Sequence, residues 1–324
     1  MTGSALVETG GALALALAVS ALLTPPVTAK LRRWGFGQRI RDDGPATHGK
    51  KEGTPSAGGV VMIVAVCAVS LIVERASPAV LAACLLILGC GAAGFLDDYR
   101  KAFFKRSLGL RARQKILILL VLAAVFSWVA ISLLGQGRDM GVPWGGTIAL
   151  SAAEASVVSI LAILFFTNAV NLTDGLDGLA AGSVAIVSVA MSGFLLARGR
   201  PQEAVLCGAT AGACLGFLLF NAHPASVFMG DTGALALGGA LAGAAVLGGG
   251  VFLLCVAGLV FVLEAFSVMA QVASFQLTGK RIFRMSPLHH HFELKGVEER
   301  RVVRGFWLAA TAFSALGVTL FGRL

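Results

Sequence analysis

Charge is scarce in this 324-residue chain: Asp, Glu, Lys and Arg make up 13% of it, against 57% hydrophobic residues and a mean hydropathy of +0.85. A water-exposed surface needs far more charge, which excludes an ordinary soluble enzyme, a disordered chain and a small secreted module. Tyrosine is scarcer still, at a single residue. With 41 glycines and long Ala, Val and Leu runs, that excludes an outer-membrane barrel, whose strands alternate apolar and polar residues between aromatic girdles. The six cysteines form no CxxC pair and all lie in apolar stretches, so there is neither a disulfide framework nor a zinc site. A P-loop is absent too. What remains is an all-α integral membrane protein, a bundle of spanning helices expected to form one domain over residues 1–324.

Cutting the chain at its charged and turn-rich breaks leaves about ten apolar stretches of spanning length, near 9–29, 57–73, 78–96, 116–134, 147–168, 179–197, 203–221, 232–248, 250–276 and 303–322. The net charge of +9 would suggest nucleic acid in a soluble protein, but here its placement speaks to topology. Three loops, 30–51, 100–115 and 280–304, each carry seven of the 26 Lys and Arg residues. All three follow odd-numbered spans, so they share one side, and the positive-inside rule makes that side cytoplasmic. Both termini are then expected outside. Glu8 precedes the first apolar segment and the basic residues follow it, the reverse of a signal peptide, so that segment is expected to stay as a helix.

Sorted by side, the acidic and imidazole residues are lopsided. Asp97, Asp98, Asp174, Asp177 and Asp231 all fall at cytoplasmic helix ends, as do His48, His223, His289, His290 and His291. A carboxylate at a membrane boundary is costly unless paired, hydrated or metal-bound. Five of them facing three basic loops predict a site for a polyanion and a metal, although the basic residues also serve topology and any one Asp could simply cap a helix.

Each motif has its own chemistry. Asp97-Asp98 closes an apolar helix ahead of Arg100 and Lys101, so two carboxylates could share a hard cation beside charges that meet phosphate. Asn171-Leu-Thr-Asp174-Gly-Leu-Asp177-Gly packs an amide, a hydroxyl and two carboxylates into a short stretch, with glycines that let backbone approach a ligand. Asp231 opens a Gly- and Ala-rich span, where a cap and a metal ligand are both possible readings. Gly53-Thr-Pro-Ser-Ala-Gly-Gly59 reads either as a phosphate-cradling turn or as an ordinary turn before a helix. His289-His290-His291 cannot all point at one ion, since successive side chains diverge, so one or two are expected to donate to phosphate or sugar. Glu264, Ser267, Gln271 and Ser274 share one helix face, suited to interhelical packing or to a site wall.

Together GTPSAGG (53–59), GFLDDYRK (94–101), NAVNLTDGLDGLA (168–180), NAHPASVFMGDTGALALGG (221–239) and RIFRMSPLHHHFELKG (281–296) resemble the phospho-N-acetylmuramoyl-pentapeptide transferase family of the polyprenyl-phosphate N-acetylhexosamine-1-phosphate transferases. Ser56-Ala57 and Glu52 depart from the usual pattern at peripheral positions. The resemblance implies transfer of phospho-N-acetylmuramoyl-pentapeptide from its UDP conjugate to undecaprenyl phosphate, giving lipid I and UMP at a bacterial inner membrane, with Mg2+ as cofactor and a homodimer as assembly. It implies Asp231 as the magnesium ligand. Asp97 would take the lipid phosphate's proton or attack directly, with Asp98 supporting charge and geometry. Asn171, Asp174, Gly175, Leu176, Asp177, Asn221 and Phe228 would line the uridine side. Lys51, Lys101, Lys115, Gln271, His289, His290 and His291 would contact the remaining phosphate and sugar groups, with His290 in the catalytic set. The rival readings are a sister transferase using UDP-N-acetylglucosamine, which is not expected to have the triple His, and a transporter, which would hold its polar groups at mid-membrane.

Overall fold

A computed structural model describes residues 3–37, 53–104 and 109–322. Lys51, His48, Arg39, Arg41, Lys50, Glu52, Lys105 and Arg106 lie outside the described residues. The helices are α1 (Gly3–Arg33), α2 (Gly59–Val73), α3 (Pro78–Phe103), α4 (Ala112–Trp128), α5 (Ala152–Thr173), α6 (Leu179–Ala197), α7 (Pro201–Asn221), α8 (Gly230–Leu247), α9 (Val251–Ala257), α10 (Leu259–Thr278), α11 (Leu288–Glu293) and α12 (Glu299–Phe321). Among the described residues nine helices are long and apolar enough to cross a membrane, and α2 is a shorter apolar helix of 15 residues. Helix is what a spanning segment must be, because a bilayer offers its backbone groups no other partners.

Three boundaries differ from expectation. Helix α3 runs on to Phe103, so Asp97 and Asp98 lie within its last turns and do not end it. Phe95, Tyr99 and Phe103 stack along the outer face of this extension, with Phe36 against them. The segment expected as one span over 250–276 is broken at Gly258 into α9 and α10. The expected span over 147–168 begins later: Asp139–Val142 and Gly146–Ala149 pair as an antiparallel hairpin, β1 and β2, and α5 starts only at Ala152. Ser151 fixes that start, because its hydroxyl accepts from Glu154 N while the Glu154 carboxylate accepts from Ser151 N. The Gly141 N–H donates 2.8 Å to Gly249 O and pins the hairpin to the turn after α8.

Close approach of backbones holds the bundle together. Gly208, Gly212 and Gly216 recur every fourth residue on α7 and meet the α1 carbonyls of Thr9, Leu13 and Leu17, where any Cβ would collide. Helix α8 is the central element, buried from Thr232 to Leu247 and packed against α2, α3, α5 and α7. Its first residues form one wall of the site.

Candidate active site

Helices α3 and α8 cross where Gly94 lies against the backbone of Asp231 and Thr232, with no room for a side chain. This contact puts Asp98 over the start of α8. Its carboxylate accepts from Asp231 N at 3.1 Å, Thr232 N at 3.0 Å and Thr232 Oγ1 at 2.6 Å, so it caps α8 from a neighbouring helix and satisfies donors that a helix start leaves open. Asp97 accepts from Leu110 N at 2.7 Å and pairs with Lys101 at 2.6 Å and Lys115 at 3.7 Å. Asp231 meets Lys115 at 2.6 Å, Lys101 at 3.2 Å and Asn171 Nδ2 at 2.9 Å.

Asp97, Asp98 and Asp231 each offer an oxygen within 4.8 Å of the others, a cluster that could hold a metal ion. Its donors are all carboxylate oxygens, which suits a hard divalent cation. Both Asp98 oxygens are bonded to the start of α8, while Asp97 and Asp231 are paired with Lys101 and Lys115.

Asp177 belongs to a second constellation. Its Oδ2 accepts from Ala225 N at 3.0 Å and lies 3.0 Å from His223 Nδ1, which is 3.4 Å from Glu299 Oε2. The Asp177 N–H donates 2.9 Å to Glu299 Oε1. The amide of Asn221 accepts from Gly178 N and donates to Val227 O, so it ties two backbone segments together. Leu176 is buried with Leu179, Val302 and Val303. Asp174 stands in the field of both groups. Burial, and then the charges of Asp231, Asp98 and Asp177, push its carboxyl up to about 8.

Of the two readings of the 53–59 stretch, the hydrogen bonds support a structural turn. The N–H groups of Ser56, Gly58 and Gly59 donate to Phe36 O, Phe228 O and Met229 O, which leaves the turn serving as a structural joint with the segment that carries Phe228. Phe228 N in turn donates 2.8 Å to Pro55 O.

The three histidines diverge, as successive residues on the short helix α11 must. His289 is fully buried, its ring packed on Gly175 and its Nδ1 3.3 Å from Glu264 Oε1. His290 Nδ1 lies 2.8 Å from Glu293 Oε2. His291 Nδ1 accepts from Arg284 N at 3.1 Å; desolvation and the Lys295 and Arg284 charges hold its pKa below the usual imidazole value, which suits an acceptor. The polar face of α10 supports this segment. Glu264 accepts from Leu288 N and His289 N, and the Gln271 amide accepts from Ile282 N and Phe283 N and donates to Phe283 O. In this arrangement Gln271 and His289 bind protein, not open space. Sequence reasoning missed Glu299 altogether, and it noted His223 and Glu264 without giving either a role. His223 had a signal in its position two residues after Asn221, whereas nothing local marks Glu299.

The signature of glycosyl transferase family 4 matches residues 79–249. A phospho-N-acetylmuramoyl-pentapeptide-transferase of Pelotomaculum thermopropionicum is 46% identical over 320 residues, covering 97% of this chain and 98% of its own. One from Desulforamulus reducens is 47% identical over 308 residues, covering 93% and 92%. One from Geobacillus thermodenitrificans is 44% identical over 319 residues, covering 95% and 96%.

Proposed function

The chain belongs to the phospho-N-acetylmuramoyl-pentapeptide transferases of glycosyl transferase family 4, and from that membership we propose how its residues carry out the reaction. The enzyme transfers phospho-N-acetylmuramoyl-pentapeptide from UDP-N-acetylmuramoyl-pentapeptide to undecaprenyl phosphate, releasing UMP and forming lipid I, the first membrane step of peptidoglycan synthesis. One observation carries the site: Asp97, Asp98, Asp231, Lys101 and Lys115 converge at one end of apolar helices, where a soluble diphosphate can meet a lipid phosphate. The three basic loops support a reading in which that end faces the cytoplasm at the inner membrane and both termini lie on the other side. The whole chain acts as one domain, in a homodimer.

In the reaction an oxygen of undecaprenyl phosphate attacks the sugar-linked phosphorus of the diphosphate, and the bond to the UMP oxygen breaks. Asp97 accepts the proton of the lipid phosphate and so makes it the better nucleophile. Lys101 and Lys115, placed on Asp231 and Asp97, turn their charge to the diphosphate as it enters. Asp231 would hold Mg2+, which supplies charge neutralisation for the diphosphate and its leaving group. Asp98 keeps the start of α8, and therefore Asp231, in place. The loop of Asp174, Gly175, Leu176 and Asp177, with Asn171 and Phe228, takes the uridine, and His290, His291 and Lys51 meet phosphate or sugar. One phosphoanhydride replaces another, so no other energy source is required.

The test is UMP release by purified protein in detergent. It should require undecaprenyl phosphate, stop when EDTA removes magnesium and recover when magnesium returns. Turnover of UDP-N-acetylglucosamine in place of the muramoyl substrate would assign the chain to the sister activity.

A further inference from the structure

We propose that His223 and Glu299 are positioning residues that shape the uridine loop, an inference that rests on the reading of residues 174–178 as the nucleotide side. Neither residue belongs to that loop: His223 follows α7, and Glu299 begins α12. They form a closed ring with Asp177. Glu299 Oε1 accepts from Asp177 N at 2.9 Å, Asp177 Oδ2 lies 3.0 Å from His223 Nδ1, and that same Nδ1 lies 3.4 Å from Glu299 Oε2. One carboxylate oxygen of Glu299 thereby holds the loop's backbone, and the other lies near the imidazole.

The loop needs such an external hold. Helix α5 ends at Thr173 and α6 begins at Leu179, so the N–H groups of Asp177 and Gly178 lie outside helical hydrogen bonding. Glu299 takes the first, and Asn221 takes the second at 3.2 Å. Arg300 adds a bond of 3.5 Å from Nη2 to His223 O, beside the ring. Two consecutive backbone donors of a ligand loop are therefore set by side chains from remote elements. Displacement of the clamp moves the nucleotide's contacts and leaves the Asp97 and Lys115 end in place. The predicted signature is weaker nucleotide binding with unchanged use of the lipid phosphate.

The experiment measures initial rates of UMP release by the full chain in detergent, with UDP-N-acetylmuramoyl-pentapeptide and undecaprenyl phosphate varied in turn. Glu299→Ala and His223→Ala should each raise KM for the UDP substrate about tenfold, the scale of leaving a buried donor or acceptor unpaired, while KM for undecaprenyl phosphate stays within about twofold. UMP inhibition should weaken by the same factor. Glu299→Gln keeps the acceptor for Asp177 N, and His223→Asn places an amide N–H near the Nδ1 position, so each should confine the rise to about threefold. These two conservative variants decide the matter if melting temperatures show that the alanine variants fold poorly. Equal KM rises for both substrates, a fall in kcat alone, or unchanged kinetics would each overturn the inference while the assigned reaction stands. Wild-type protein that releases no UMP would overturn the reaction itself, and the inference with it.

Discussion

Asp231 is the residue on which the most interactions meet, since two ammonium groups and an amide converge on its carboxylate while its own N–H is held by Asp98. Replacing it with Asn removes the charge and preserves the shape. Asp231→Asn should cut UMP release by about 10²-fold or more, the scale of removing a transition-state contact, at a melting temperature close to that of the wild type. Normal turnover across a magnesium series would remove Asp231 from the metal site. Asp174 makes a different prediction, because burial and neighbouring carboxylates raise its pKa to about 8. An unfolded Asp titrates near 3.9, so between about 4 and about 8 the folded protein binds the extra proton, and stability falls as pH rises through that window. Asp174→Asn should therefore raise the melting temperature at pH 9 and change it little at pH 4. An equal shift at both pH values would show that the carboxyl is not raised. Glu299 lay outside the reading of individual residues, since a carboxylate beginning a helix is commonplace and its partner loop is remote in sequence.

At the level of elements, α10 carries the segment that holds the histidines. Glu264, Gln271 and Ser274 lie on one face and bond to residues 280–289, so the stripe that suggested interhelical packing in fact caps a turn and the start of α11. Gln271 contributes three of these bonds. Gln271→Ala should cost about 1–3 kcal/mol locally, seen as faster hydrogen exchange at Ile282 and Phe283 and a loss of UMP release of about tenfold or more. Exchange unchanged at those two amides, together with lost activity, would return Gln271 to direct substrate contact. The stripe was legible because helical spacing groups its residues; its partner was not, since the chain returns to the helix only through a turn that hydropathy does not describe. The glycines at 208, 212 and 216 drew no reading from the sequence, and only packing shows that they receive α1.

For the whole molecule, the strongest rival to a catalytic reading of the basic residues is that they only orient the chain in the membrane. Arg32 and Arg301 stand for that rival: both are exposed, and Arg301 has only Glu298 beside it, at 3.7 Å. Lys101 and Lys115 are bound into the carboxylate cluster instead. Lys101→Arg and Lys115→Arg keep the charge yet should each reduce UMP release by about 10²-fold, because a guanidinium does not replace a compact ammonium at a phosphate. Arg32→Ala and Arg301→Ala should change the rate by less than about threefold, since single charges are redundant within a basic cluster. Similar losses in both groups would mean that the lysines serve topology alone.

Composition by itself determined the membrane class, since a chain so poor in charge has no other solvent, and motif pattern pointed to the family and to the candidate site residues. These are local properties: spanning length, one-sided charge and short runs of Asp, Gly and His can be read without knowing what lies opposite. The tertiary structure alone decided which side chains are spent on the protein itself. Asp98 and Asn221 looked like ligands and are found bonded to backbone, and the 53–59 turn looked like a phosphate cradle and is found joined to Phe36, Phe228 and Met229. The physical reason is that a hydrogen bond between residues 43 or 134 positions apart leaves no mark in either local pattern, and a buried donor takes whichever acceptor the fold brings to it.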